Sequence, residues 1–339
     1  MIRMEPKRKK LIIIISLIVV IVVAIIIPVT LFLGKFSFNT SELGQIFSGG
    51  VVTDVEIEGD IAYVVDSADN NPSGLVIVNI SNPYHPYILG SYYQSGLPYA
   101  VDVVGDIAVL ANIFVGVEIL NISDLTNPVK TDQYTGSGAA FDVQVVGEIT
   151  YVADWSRGLV LLNISDPSHV SEISRFSISG ACTQVYVDNG IAYITDHHIS
   201  YTGIRLINVS NPQSPFQVGS YAPADIDFWN PYVHEKVIYV ANHGNNGGEL
   251  HVLSANNYSQ ISPLGVFDDG GLIYAAFTSS NKVYAADYQY GLIIIDMTDF
   301  SNPVVIGRHF DGGHSVDVVV VGDIAYVADR EDGLEIIRV

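Results

Sequence analysis

Seven polar residues recur at one repeating position: Asp66, Asn112, Asp154, Asp196, Asn242, Asp287 and Asp329. Asp54, Asp142 and Asp317 lie on alternating segments that hairpin counting places opposite three of them, Asp66, Asp154 and Asp329. Converging carboxylates are hard oxygen donors, and Ca²⁺ takes about six to eight oxygens. Asp54, Asp66, Asp142, Asp154, Asp317 and Asp329 therefore form a candidate Ca²⁺ set at the mouth of a channel. The competing reading is that each recurring Asp or Asn caps its own loop by accepting backbone N–H bonds. Recurrence at every repeat favours capping, since one central ion needs no seven equivalent residues.

His197, His198 and His243 sit beside Asp196 or in the next repeat, and imidazole with carboxylate is a transition-metal donor set. Adjacent His197 and His198 on extended chain point apart, which weakens that set. Trp155, Tyr201, Trp229, Tyr232, Tyr288 and Tyr290 fall in segments read as loops, with the longest connection running from Tyr221 to Tyr232. Aromatics beside carboxylates and amides suit a glycan or protein ligand, and the alternative is packing between repeats. Nucleophile-elbow, Walker A, H-E-x-x-H and dinucleotide motifs are all missing, and the sequence assigns no catalytic residue. Cys182, the one cysteine, reads as a small buried hydrophobe.

These residues are positioned by a repeat. Aligned on one position, the chain returns at Tyr63, Val109, Tyr151, Tyr193, Tyr239, Tyr284 and Tyr326. Each unit reads as four short strands, A to D. Strand A alternates, as in Asp142-Val143-Gln144-Val145-Val146, and ends at a Gly-containing tight turn such as Gly147-Glu148. Strands B and C are nearly continuous apolar runs, as strands covered on both faces should be. Strand D is more polar and suits an outer edge. Four strands per unit of this length is the period of a propeller blade. The fold class is thus all-β, a seven-bladed β-propeller over residues 43–339, with residues 43–47 supplying the missing outer strand of the last blade.

The segment Gly74-Leu75-Val76-Ile77-Val78-Asn79-Ile80-Ser81-Asn82-Pro83, with a second copy at Gly291–Asp299, resembles the LVIVD repeat family. The resemblance implies a propeller-forming surface module and carries over no catalytic residues. The unit containing Glu249–Ser254 departs from it, having no Pro breaker.

The first forty residues are different in kind. Residues 1–10 hold Arg3, Lys7, Arg8, Lys9 and Lys10 against Glu5, and Leu11–Leu33 carries no charge. A helix of that length is roughly 35 Å long, enough to cross a hydrocarbon core of about 30 Å. The expectation is one N-terminal transmembrane anchor helix, a cytoplasmic basic segment, a linker at 34–42 and an extracellular propeller on a cell membrane. Beyond residue 40 the chain has 9 Lys/Arg against 35 Asp/Glu. That balance makes nucleic acid a poor partner. The expected function is a membrane-anchored binding or scaffolding module for protein or glycan on its loop face. Two alternatives stay open. One is a propeller hydrolase or lyase at the channel mouth, with or without Ca²⁺ assistance. The other is a structural component of a surface coat.

Overall fold

The computed structural model describes residues 40–46, 50–67, 73–94, 96–136, 138–198, 201–244, 248–310 and 312–339. Leu11–Leu33 lies outside them. Among the described residues no helix is long and apolar enough to cross a membrane.

Among these residues, twenty-eight strands form seven antiparallel four-stranded sheets. Blade 1 shows the pattern, with strand A at Val52–Glu58, B at Ile61–Asp66, C at Ser73–Asn79 and D at Tyr87–Gln94. The inner strands A of blades 2 to 7 are Pro98–Val104, Ala140–Val146, Val185–Asp188, Phe228–His234, Ile273–Ser279 and Ser315–Val321. Strands B and C are buried along nearly their whole length, because each is covered by a neighbouring blade on both faces. The core is therefore divided into seven apolar clusters, each spanning one boundary between adjacent blades.

Small recurrent devices set the blade shape. The A–B hairpin turns at Gly59, Gly105, Gly147 and Gly322 have φ between 55° and 66°, the left-handed region that glycine enters without strain. The residue after strand C then returns to that turn. Ile80 N–H donates to Asp60 O, Ile164 N–H to Glu148 O, and Val339 N–H to Asp323 O, each at 2.9 Å. The C–D turns are built from side-chain caps. Asn79 Oδ1 accepts Ser81 N–H, and Asp166 Oδ1 accepts Ser168 N–H. Blade 5 makes the same turn without proline, since Asn257 Oδ1 accepts Ser259 N–H.

The ring is joined by its first strand. Ser41–Ile46 pairs antiparallel with Gly333–Arg338, from Ser41 opposite Arg338 to Ile46 opposite Leu334. This strand begins two residues earlier than the sequence reading placed it, and it carries an irregularity between Glu42 and Gly44. A Cβ on Gly44 would come within 2.4 Å of Pro83 O in blade 1. A Cβ on Gly90 would come equally close to Leu125 O, between blades 1 and 2. The closing strand thus repeats the contact an ordinary strand D makes with the next blade. Leu43 and Ile46 pack against the cluster shared by blades 7 and 1.

Candidate functional site

The inner strands surround a central cavity of about 870 Å³. Period-2 alternation sends every second residue of each strand A toward it. Asp54, Asp142, Gln184 and Asp317 make an upper level, and Glu56, Asp102, Gln144, Tyr186, Tyr232 and Phe277 a lower one.

The upper carboxylates have a structural duty. An inner edge strand leaves N–H groups without a partner in its own sheet. Asp54 Oδ2 accepts Val101 N–H at 2.7 Å, Asp142 Oδ2 accepts Val185 N–H at 2.8 Å, and Asp317 Oδ2 accepts Val55 N–H at 3.2 Å. Asp102 Oδ2 does the same for Val145 N–H at 2.5 Å, and Gln144 Oε1 for Val187 N–H at 2.5 Å. Side chains of blades 7, 1, 2 and 3 each tie down the blade that follows.

The cavity keeps its acids protonated to unusually high pH. Burial pushes Asp102 up to about 6, Asp142 to about 7 and Glu56 to about 8, with Asp102 and Asp317 adding like charge around Glu56. Asp54 is raised well above the usual carboxylate range, first by burial and then by Asp317 beside it. Asp317 is raised by burial too, and the two side chains hydrogen-bond to each other. Arg330 is the one basic side chain lining the cavity among the described residues.

The recurring Asp/Asn set is separate. Asp66, Asp154 and Asp329 pair with Val52, Ala140 and Ser315, one step above the channel carboxylates. Asp154 accepts N–H bonds from Gly138, Ser156 and Arg157, so it ties the B–C loop to the D–A loop. Asn112 Oδ1 serves Leu97 and Phe114, and Asp287 Oδ1 serves Gln289 and Tyr290. Asn112, Asp154, Asn242, Asp287 and Asp329 cap loops, whereas Asp196 Oδ2 accepts the Arg205 Nε–H at 2.6 Å. The six-carboxylate candidate set therefore divides into three channel ties and three positions in this capping ring. Among the described residues no group of three or more His, Cys, Asp or Glu has the geometry to hold a metal.

The histidines also resolve differently. The blade 4 hairpin extends past Asp196, pairing His197 with Thr202 and His198 with Tyr201, so both histidines lie on strand rather than loop. His197 uses both ring nitrogens, Nδ1 with Asp227 Oδ1 at 2.6 Å and Nε2 with Thr183 Oγ1 at 2.7 Å. His243 Nε2 meets Ile273 O at 2.7 Å, and burial holds its pKa below the ordinary histidine value. Trp229 separates the two rings, 4.8 Å from His197 and 5.5 Å from His243.

That Trp belongs to an arc on the loop face. The rings run His197, Trp229, His243, Tyr274, Tyr288 and His314 across blades 4 to 7, with successive centroids 4.2 to 5.5 Å apart. A second row, Tyr99, Phe141 and Trp155, crosses blades 2 and 3 at 5.7 and 5.2 Å. Trp155 is exposed. Tyr290 stands apart, with the Arg308 guanidinium 5.5 Å above its ring. Tyr201 starts strand C of blade 4, and its side chain lies outside the described residues.

Tyr232 corrects the sequence reading most clearly. The supposed long loop ends by Phe228, where strand A of blade 5 begins, and Pro231 sits in an irregularity between Trp229 and Tyr232 with Asn230 at φ 44°. Tyr232 thus lines the cavity wall, with its ring 5.1 Å from both Tyr186 and Phe277. Glu56, Asp102, Tyr186, Phe277 and Arg330 were missed from sequence. For Glu56 the signal was present, since it lies two residues from Asp54 on one face.

Comparison with known proteins agrees with the fold. The LVIVD repeat model matches at residues 49–94, 137–177, 278–310 and 312–339. No curated protein matches the chain. The crystal structure of the computationally designed Ika8 protein is similar, with a TM-score of 0.64 at 9% identity, covering 88% of this chain and 99% of that one. That likeness concerns fold alone.

Proposed function

Taking as premise that the chain is an LVIVD repeat protein, we propose that it is a membrane-anchored, extracellular binding or scaffolding module that offers its loop face to a protein or glycan ligand. The observation that carries this reading is the ring arc over blades 4 to 7, together with the exposed Trp155 across the mouth. A closed ring of sheets is a rigid frame, and aromatic rings at a concave mouth give contact area at low entropic cost. The charge-free Leu11–Leu33 segment and the basic cluster before it support the anchor.

The catalytic alternative draws on the paired carboxyls of Asp54 and Asp317. Both carboxylates already accept backbone bonds from a neighbouring blade, which accounts for them structurally.

Binding of the full-length protein to arrays of oligosaccharides and to its own envelope proteins tests the reading. Trp155→Ser and Tyr288→Ser are expected to weaken capture by about tenfold, the loss typical of an anchoring aromatic. Tyr87→Ser, on the outer edge of blade 1, should leave it unchanged. No loss from the two loop variants, or equal loss from the Tyr87 variant, overturns the proposal.

A further inference from the structure

We propose that the central cavity is itself a binding site for an alkylammonium ion, a primary amine on an aliphatic chain. This goes beyond the loop-face reading and does not rest on it, because the groups involved lie on the inner strands below the rim.

The cavity has two unlike walls. Blades 7, 1 and 2 present Asp317, Asp54, Glu56 and Asp102, and blade 3 adds Asp142. Blades 4 to 6 present a continuous aromatic row, Tyr186, Tyr232 and Phe277, with ring centroids 5.1 Å apart at each step. Glu56 and Tyr186 line the same cavity, and burial first of all holds the Tyr186 phenol above its ordinary value. A volume of about 870 Å³ is large for a single ion and suits a small organic ligand. Carboxylates at two levels across four blades form no compact metal group, consistent with the absence of one among the described residues.

An alkylammonium matches both walls at once. Its head donates charge-assisted hydrogen bonds to carboxylates, and aromatic faces attract the cation while covering the methylenes. A bare metal ion gains little from the aromatic row, and a neutral sugar gains little from the charge. Three lining residues oppose or modulate the site. Arg330 repels a cation at the upper end, and Tyr274 and Tyr99 flank it there.

Glu56 is the sensitive residue. Among the described residues it accepts no bond from the next blade, unlike Asp54, Asp102, Asp142 and Asp317. Its charge is available for a ligand without unfastening two blades. Burial first, then the charges of Asp102, Asp317 and Glu58, raise its pKa to about 8. A bound ammonium favours the carboxylate, so binding releases a proton and tightens as pH rises.

The test is isothermal titration of the full-length protein with spermine, N-acetyl-lysine amide, CaCl₂ and maltotetraose. The expected result is saturable binding of an amine with proton release, tightening from about pH 6 to about pH 8.5, below a lysyl amine's pKa near 10.4. Glu56→Gln should weaken it by about tenfold, the worth of a hydrogen bond to a charged group. Phe277→Leu should weaken it by about fivefold through the lost cation–π contact. Phe216→Ser, on the outer strand of blade 4, should change nothing. Tighter binding of spermine assigns a free polyamine, and tighter binding of the lysine derivative assigns a lysyl side chain. No saturable amine binding, binding indifferent to both channel variants, or a stronger response to CaCl₂ or maltotetraose than to either amine would overturn the proposal.

Discussion

A single side chain, Glu56, separates what charge does for this fold from what burial does to charge. The channel carboxylates Asp54, Asp102, Asp142 and Asp317 recover part of their desolvation by accepting inter-blade N–H bonds, whereas among the described residues Glu56 accepts a backbone bond from its own strand, at Ile57, and none from the next blade. An acid whose pKa folding raises binds more protons folded than unfolded, so stability falls as pH climbs from the unfolded value toward the folded one. Glu56 moves up to about 8 and Asp142 to about 7. Thermal unfolding is therefore expected at lower temperature at about pH 8.5 than at about pH 5, and Glu56→Gln should flatten that slope. A Tm that rises with pH across this window would refute the assignment. The surface acids Asp124, Asp166 and Asp296 have lowered values from local caps, and their contribution is lost only below the ordinary carboxylate range.

At the scale of elements, much was legible because local pattern and tertiary role coincide. Strands B and C read as unbroken apolar runs, and both of their faces are indeed covered. The seven-unit period carries through to seven sheets. What escaped the sequence depends on neighbours brought together only by the ring. An Asp-Val dipeptide looks the same whether its carboxylate awaits an ion or a neighbour's N–H, and only the adjacent blade decides. Pro231 reads as a loop signal, yet an inner edge strand tolerates it at an irregularity, so Tyr232 was placed on the wrong side of the rim. The closing strand Ser41–Ile46 is the element whose loss should matter most. A chain starting at residue 50 leaves Gly333–Arg338 as a bare edge and uncovers part of the blade 7–blade 1 cluster. Compared with a chain starting at residue 40, it is expected to melt at least about 5 °C lower and to associate through that edge. Equal Tm and a monomeric state for both chains would show that the closure contributes nothing.

The whole molecule is a closed ring whose two faces differ in kind. The lower face is made of short turns with self-contained caps such as Asn79 with Ser81 and Asp299 with Ser301. The loop face carries the ring arc and the cavity mouth, and the sequence beyond residue 40 is strongly acidic. Under the proposed function, the ring meets its ligand on the loop face. A photoreactive amino acid placed at Tyr288, or in a second strain at Asn82 on a lower turn, tests it in intact producing cells. The account predicts covalent adducts to an envelope component from position 288 and few from position 82. Adducts arising mainly from position 82, with position 288 silent, would contradict it.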